Sequence, residues 1–410
     1  MRLLISFAAL FLSIILLQLG SGALAPLDAI SGLELEFSTT EIGLLGSSHF
    51  FGFFIGCWIA PRIMGDVGHS RAFAAFTAIG TIGILAHMTF VGAYAWMFFR
   101  VLTGICIAGS YTVVESWLQA KVTNETRGRA MAVYRVVDIG GSLAAQMMIS
   151  VLTPASYISY NILAMICCAA LVPLVLTRAA APPAPKALKL RPWLAFQLSP
   201  LAAAGVLSAG LTTAAFRMVG PIYGVEVGLT TDQIALFLSA FVLGGALSQY
   251  PAGWVADRFD RRWVLIGLST AAIVSCLIMV SFIGAGTGAA FWTAGIFGFA
   301  TFPIYSVSAA HAHDFAQDDQ RIELSAAMMF LYALGAIASP YAVSTLIESF
   351  GPEAMFAFVS AAHVLLIVFG LIRMRARETE TKTAYIYAPR TSFLIGKLLG
   401  RSRTKGRSSE

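Results

Sequence analysis

The sequence predicts an all-α integral membrane protein whose 12 transmembrane helices form two pseudo-symmetric six-helix bundles. Three observations support this fold class: long apolar runs, basic residues confined to alternate loops, and a charged motif that recurs half a chain apart. Of the 410 residues, 58% are hydrophobic and 12% are charged, and the mean hydropathy is +0.79. Soluble domains carry about 25% charged residues, so the composition excludes an ordinary soluble protein.

The apolar runs are long enough to cross a bilayer as helices, because about 20 residues at ~1.5 Å each cover ~30 Å. Barrel strands would need only about ten residues of alternating polarity, and open backbone has no hydrogen-bond partner in lipid. The predicted spans are 4–27, 41–61, 72–92, 95–118, 129–152, 157–177, 197–220, 232–254, 263–284, 289–311, 323–346 and 354–374.

Basic residues occupy alternate loops. With the N-terminus inside, 24 of the 27 Lys and Arg residues lie in inner segments, and the other three (Arg100, Arg135 and Arg217) lie within spans. The outer segments carry acidic residues instead. The positive-inside rule then predicts that both termini are cytoplasmic, and the net charge of +6 reflects this topology rather than a nucleic-acid surface.

The N-terminal segment also has features of a cleavable signal peptide that ends at Ala25. Its apolar run is long for a signal, Pro26 follows the cleavage point, and removal would place every basic loop on the wrong side. We therefore expect this segment to be the first span.

The two bundles are predicted to be separated by a short loop and followed by a tail. We expect bundles at 1–178 and 196–375, a proline-rich cytoplasmic linker at 179–195, and a basic cytoplasmic tail at 376–410. Part of the tail, 391–405, could form a short helix on anionic lipid, although a solvated tail is the simpler expectation.

The charged motif GWVADRFDRR at 253–262 lies between two apolar runs, and a weaker copy, PRIMGDVGHSR, lies 192 positions earlier. Because so many charges must be in contact with water, each copy is predicted to be a tight turn at a membrane face. The pattern resembles the loop between the second and third helices of each half of the major facilitator superfamily (MFS). The residues that carry this resemblance are Gly253, Asp257, Arg258, Arg261 and Arg262, and in the weaker copy Gly68, Arg71 and the displaced Asp66.

Other segments extend the resemblance over nearly all of the first 375 residues. Arg100, Gly104 and Gly109 are similar to the family's fourth-helix signature, and VVES at 113–116, RGR at 127–129 and the Phe302–Pro303 pair are similar to the bacterial YcaD-like branch. The resemblance implies a monomeric transporter of the bacterial inner membrane that acts on a small molecule and needs no cofactor. It also implies that Asp257 caps span 5 across the interface between the halves and closes the inner side.

Span 5 carries a polar stripe, although an ionisable group at mid-membrane costs about 2.5–3.5 kcal/mol. Arg135, Asp138, Ser142 and Gln146 lie within about 80° of one another on a helix. Two interpretations stay open. Glu115 of span 4 could form an ion pair with Arg135 that clamps the two spans, or Arg135 and Asp138 could face a central cavity. In a cavity, Asp138 would be the best proton carrier unless Arg135 keeps it ionised.

The remaining candidates for a substrate or proton pathway are Gln18, Arg100, Tyr111 and Arg217, since spans 1, 4, 7 and 10 line the cavity in the resembled family. Arg217 could neutralise an anionic solute or form an outer gate with Asp28. The embedded charges sum to a small positive excess, which favours an anionic or zwitterionic solute.

The expected function is secondary active transport by alternating access, with coupling to protons. The sequence contains no GxxxxGK[ST] motif, no credible catalytic set and no metal-ligand cluster, so neither an enzyme nor an ATP-driven pump is expected. A drug–proton antiporter is the first alternative, disfavoured because the stretch after Gly140 in span 5 lacks that group's proline. A non-transporting receptor or scaffold is the alternative from another class.

Overall fold

The computed structural model describes residues 2–122, 127–176, 191–282, 287–317 and 320–376. Within these ranges the regular structure is helical and contains no strand. The predicted linker at 179–195 lies mostly outside them, and so does almost all of the predicted tail. The helices of the first half are α1 (Arg2–Gly22), α2 (Leu24–Glu34), α3 (Thr39–Val67), α4 (His69–Ala86), α5 (Ala93–Lys121), α6 (Arg127–Met147), α7 (Tyr157–Ala169) and α8 (Leu171–Val175).

The second half has the same plan. A short helix, α9 (Trp193–Leu198), comes first, so regular structure begins slightly before the predicted start at 196. The other helices are α10 (Pro200–Ala214), α11 (Gly220–Glu226), α12 (Thr231–Arg258), α13 (Arg261–Ser281), α14 (Thr287–Thr301), α15 (Pro303–Asp314), α16 (Arg321–Phe350) and α17 (Ala354–Ala376).

Ten helical stretches of the described chain are long and apolar enough to cross a membrane. Several of them join two helices through a kink, as α1 with α2 and α14 with α15 do. The predicted spans 72–92 and 129–152 correspond to α4 and α6, which are not among these ten. The helix α4 has only 18 residues and begins His-Ser-Arg, and α6 carries four charged residues. The integral membrane fold is confirmed, and the count of 12 spans stays a prediction.

Helix starts show that the internal repeat extends beyond the charged turns. Ser38 begins α3 with a capping box, in which its hydroxyl accepts from the Glu41 amide and the Glu41 carboxylate accepts from the Ser38 amide. Thr230 and Gln233 repeat this arrangement at the start of α12, at the same offset of 192 positions that separates the charged motifs. Such caps satisfy amide donors that a helix leaves free at its start.

Close helix contacts repeat at the same offset. A Cβ atom on Gly52 of α3 would overlap the backbone carbonyl of Val101 in α5, and a Cβ atom on Gly244 of α12 would overlap that of Gly295 in α14. Small residues at these positions let the second and fourth spans of each half approach closely. The halves are therefore built on the same helix-packing plan.

The apolar core explains how the halves are joined. One buried cluster lies in the first half, and a second lies in the second half. A third cluster contains residues of both halves, with Ala29, Ile30, Ile42 and Ile149 packed among residues of the second half such as Val343. These residues lie at the end of the bundle where α2 ends and α3 begins, which we call the predicted outer end. The halves thus share a core at that end.

Candidate functional site

A cavity of about 190 Å³ lies between the two halves, and helices of both halves line it. It collects seven of the eight residues that the sequence predicts for a substrate or proton pathway. Glu115, the eighth, is not among the lining residues. The predicted residues that line the cavity are Gln18, Arg100, Tyr111, Arg135, Asp138, Gln146 and Arg217.

Asp138 is the centre of a polar cluster in this cavity. Its Oδ1 accepts a hydrogen bond from Gln18 Nε2 at 2.9 Å and another from Tyr111 Oη at 2.6 Å. Arg135 Nη1 lies 3.5 Å from Oδ2, one turn away on the same helix. Three spans of the first half therefore send donors to one carboxylate. The Arg135 and Asp138 side chains are 14% and 16% exposed, so the cavity reaches both.

Glu115 connects α5 to α6 through a tyrosine. The hydroxyl of Tyr134 donates to Glu115 Oε1 at 2.8 Å, and both residues are buried. Arg135, the next residue, packs its guanidinium over the Tyr134 ring at 5.1 Å. Tyr134 therefore links the two spans through Glu115, and the clamp predicted from the sequence, a Glu115–Arg135 ion pair, stays a prediction.

Arg100 lines the cavity and is also held by partners within its own half. One Nη atom lies 3.5 Å from Asp28 Oδ2, and Asp28 also accepts from Tyr160 at 2.9 Å and lies 3.5 Å from His87 Nε2. All four side chains are almost completely buried within the first half. The proposed outer gate between Asp28 and Arg217 is not what the structure shows, because Asp28 is enclosed by partners from its own half.

Arg217 lies in a π-helical turn, Ala215–Val219, which separates α10 from α11. Pro221 follows four residues later and has no amide hydrogen to donate to the Arg217 carbonyl, so the regular α-helical ladder cannot continue there. Such π turns are common at functional sites. The turn places Arg217 and Met218 on the cavity wall.

Aromatic side chains make up much of the rest of the wall, and the sequence patterns did not identify them. Phe50 and Phe53 come from α3, Phe302 precedes α15, and Tyr332 comes from α16. Ser325 and Ser339 lie seven residues to either side of Tyr332 on α16. The two serines do contact neighbouring helices, but Tyr332 faces the cavity.

The Major Facilitator Superfamily model matches the chain twice, over residues 10–231 and 201–403. The chain belongs to the Major Facilitator Superfamily. The two matches begin near the starts of the two predicted halves and overlap at 201–231, and together they cover almost the whole chain. The resemblance of the charged motifs to this superfamily is thereby confirmed.

Relatives within the superfamily cover nearly the full chain. An uncharacterised MFS-type transporter of Enterobacter sp. (strain 638) is 27% identical over 88% of this chain and 94% of its own length. The uncharacterised MFS-type transporter YcaD of Salmonella arizonae is 24% identical over 92% of this chain and 97% of its own length. The similarity to the YcaD-like branch is therefore confirmed.

Solved structures agree on the fold. A bacterial homologue of the human lysosomal transporter Spinster, in an inward-facing and occupied conformation, superposes with a TM-score of 0.75 at 14% identity, covering 90% of this chain and 96% of its own. The nucleoside transporter NupG superposes with a TM-score of 0.74 at 14% identity, covering 92% of this chain and all of its own. At this identity the match describes the MFS fold alone.

The superfamily's charged turn lies between α12 and α13. Arg261 is buried, donates to the Ala310 carbonyl at 3.2 Å, pairs with Asp314 and lies 3.5 Å from Asp257. The motif is thereby tied to the end of α15. The predicted contact of Asp257 with the start of span 5 concerns 123–129, a segment whose loop and side chains lie outside the described residues, so this contact stays a prediction.

The other residues of this turn make local contacts. Arg262 pairs with Asp260 at 2.8 Å, and Arg258 lies over the Trp254 ring at 3.7 Å. Gly253 is buried in α12.

The weaker copy of the motif joins α3 to α4. Gly68 ends α3 with φ +83°, a backbone conformation that favours glycine. Asp66 and Arg71 are exposed on either side of it. The turn is therefore sharp and charged, as the sequence predicts for a membrane face.

The predicted outer end is closed by polar contacts between the halves as well as by the shared core. Glu348, near the end of α16, accepts hydrogen bonds from the Thr40 amide at 3.0 Å and from the Thr40 hydroxyl. Ser47 accepts from the Tyr341 amide at 3.2 Å. A carboxylate at a helix N-terminus is favoured by the exposed amides and the helix dipole, so Glu348 acts as a cap supplied by the opposite half.

Proposed function

We propose that this superfamily member is a secondary active transporter that carries a small solute across the bacterial inner membrane by alternating access, coupled to protons through Asp138. The observation that carries the proposal is the cavity between the halves, in which Gln18, Tyr111 and Arg135 converge on the carboxylate of Asp138. A polar site enclosed by two related bundles is the usual location of the substrate in such transporters.

Alternating access requires that the two ends of the cavity open at different times. The halves share a buried core at the predicted outer end, where Glu348 also caps α3 across the interface. This arrangement supports a state whose outer end is closed. Opening that end would separate Ile42 from Val343 and Thr40 from Glu348, and these contacts have to be regained in each transport cycle.

Coupling to protons follows because a proton competes with Gln18, Tyr111 and Arg135 for the carboxylate of Asp138. An ionised carboxylate only accepts hydrogen bonds, whereas a protonated one also donates. Protonation would remove the charge-assisted contact with Arg135 and change the contacts with Gln18 and Tyr111. Because these residues belong to spans 1, 4 and 5, the protonation state of Asp138 would change how three helices of the first half are held around the cavity.

Purified protein in proteoliposomes tests the proposal. Vesicles that contain the pH dye pyranine would receive each member of a solute panel under an imposed pH gradient, while proton movement and solute uptake are recorded. We expect the native chain to move protons only when a transported solute is present. In D138N the gradient-driven flux should fall at least about tenfold, whereas solute exchange without a gradient should be retained.

The control is E226Q, which removes an exposed carboxylate outside the cavity and should leave both activities unchanged. Full gradient-driven flux in D138N would contradict the role of Asp138. Failure of the native chain to move any solute of a broad panel would favour a receptor or scaffold over a transporter.

A further inference from the structure

The part of the cavity wall formed by α3, α5 and the π turn is cationic. Arg217 and Arg100 line it, and both are within electrostatic range of the His49 ring. The Nδ1 atom of His49 is buried and has no hydrogen-bond partner among the described residues. Arg100 also donates towards Met218 Sδ at 3.8 Å, which brings the π turn against α5.

The charges of the cavity do not balance. Arg135 lies against Asp138, and Arg100 lies against Asp28 behind the wall. Arg217 has no acidic partner within 4.0 Å among the described residues. A partly enclosed cation without a counter-ion is costly in a membrane interior, so the site favours a ligand that supplies the negative charge.

The opposite end of the cavity does not offer a matching site for a cation. Asp138 is the acidic residue among those that line the cavity, and it already accepts from Gln18, Tyr111 and Arg135. A cationic group on the solute would have to displace these donors. The cavity therefore favours an anion over a cation or a zwitterion.

The aromatic residues of the cavity wall indicate the shape and polarity of the rest of the solute. Phe50, Phe53, Phe302 and Tyr332 line the same cavity, and the Phe50 ring lies 5.6 Å from the His49 ring. Aromatic faces pack well against flat apolar groups. A planar guanidinium can hold a carboxylate through two parallel hydrogen bonds.

We propose that Arg217 binds the anionic group of the solute and that the transported class consists of small organic anions with a flat apolar body. This proposal rests on the proposed transport function, because it names the solute class of the same cavity. His49 lies within electrostatic range of Arg217, and its buried Nδ1 atom is available for a hydrogen bond with the same anionic group.

Binding to the detergent-purified full chain tests this without any transport. Benzoate is the anionic probe, and benzamide, benzylammonium and phenylalanine are the neutral, cationic and zwitterionic probes of similar body. Phenylacetate and hexanoate extend the anion series. Thermal unfolding would be recorded over a concentration series at constant ionic strength, with sodium chloride replacing the probe in the reference samples.

We expect at least one of the anions to raise the unfolding temperature in a saturable way and the neutral and cationic probes to have little effect. R217Q should weaken anion binding about tenfold or more, and R217K, which keeps the charge but not the planar fork, should weaken it less. R62Q is the matched control, because Arg62 is an exposed arginine outside the cavity, and it should bind as the native chain does.

Stronger binding of benzylammonium or phenylalanine than of every anion would overturn the proposal, and so would the absence of binding by any anion. Equal anion affinity in R217Q and the native chain would also overturn it. The two proposals can fail separately. If anion binding depends on Arg217 but D138N keeps full gradient-driven flux, the solute class is upheld and the coupling role of Asp138 is contradicted.

Discussion

The buried ion pair between Asp28 and Arg100 is expected to contribute strongly to the free energy of unfolding, because both side chains are almost fully buried. The two side chains are 3% and 2% exposed, and Tyr160 and His87 enclose them. The substitution D28N keeps the shape and the hydrogen bond from Tyr160 but removes the negative charge. Arg100 would then carry a buried charge whose acidic partner is lost.

Removing one partner of a buried ion pair destabilises a protein by about 3–5 kcal/mol, because the remaining charge stays uncompensated. The pair between Arg191 and Glu323 is a matched contrast. Its atoms are 3.2 Å apart, but the Arg191 side chain is 62% exposed. Exposed pairs contribute about 0–1 kcal/mol, so R191Q should have a small effect.

The free energy of unfolding would be measured for the native chain, D28N and R191Q by titration with sodium dodecyl sulfate in mixed micelles, followed by tryptophan fluorescence. We expect D28N to lose several times more stability than R191Q. Equal losses, or a D28N loss below about 1 kcal/mol, would refute the reasoning that burial makes this pair essential.

Two further predictions concern the predicted outer end and the topology. A Cβ atom on Gly43 of α3 would overlap Ser344 and lie 2.6 Å from the Pro340 carbonyl oxygen, whereas one on Gly65 of the same helix meets nothing within 4 Å. G43A should therefore abolish solute flux in proteoliposomes and G65A should not, and normal flux in G43A would show that this closure is dispensable. Both termini should lie in the cytoplasm. Fusions of green fluorescent protein to either end should therefore fluoresce, and fusions of alkaline phosphatase should be inactive. Reporter signals that place the two ends on opposite faces of the membrane would contradict the topology.

Local patterns in the sequence were sufficient for the fold. Apolar runs, the distribution of Lys and Arg, and the motif at 253–262 each depend on neighbouring residues, and they predict the helical membrane fold and the superfamily correctly. The polar stripe on α6 could be read in the same way, because Arg135, Asp138 and Gln146 share one helix face. All three line the cavity.

Partners from distant segments could not be predicted in this way. Gln18 reaches Asp138 across 120 positions of the chain, and Tyr160 reaches Asp28 across 132. Which side chains meet is decided by helix rotation and tilt, which single-helix periodicity does not specify. Arg100 lines the cavity, but its ion pair with Asp28, buried in the first half, was not predicted. The π turn had one local signal, Pro221, which sequence reasoning did not use.

Transport by alternating access requires the two halves to rock against each other around the cavity. Spin labels at Glu34 and Glu353 would report on the predicted outer end, and labels at Arg62 and Phe259 on the opposite end, since all four positions are exposed. In a background without the five native cysteines, distances from double electron–electron resonance would be compared with and without G43A.

This comparison needs no identified solute, because the substitution itself acts as a wedge between α3 and α16. We predict that G43A lengthens the distance at the predicted outer end and shortens the one at the opposite end, each by several ångström. Unchanged distances, or two distances that lengthen together, would contradict rocking of the halves around the cavity.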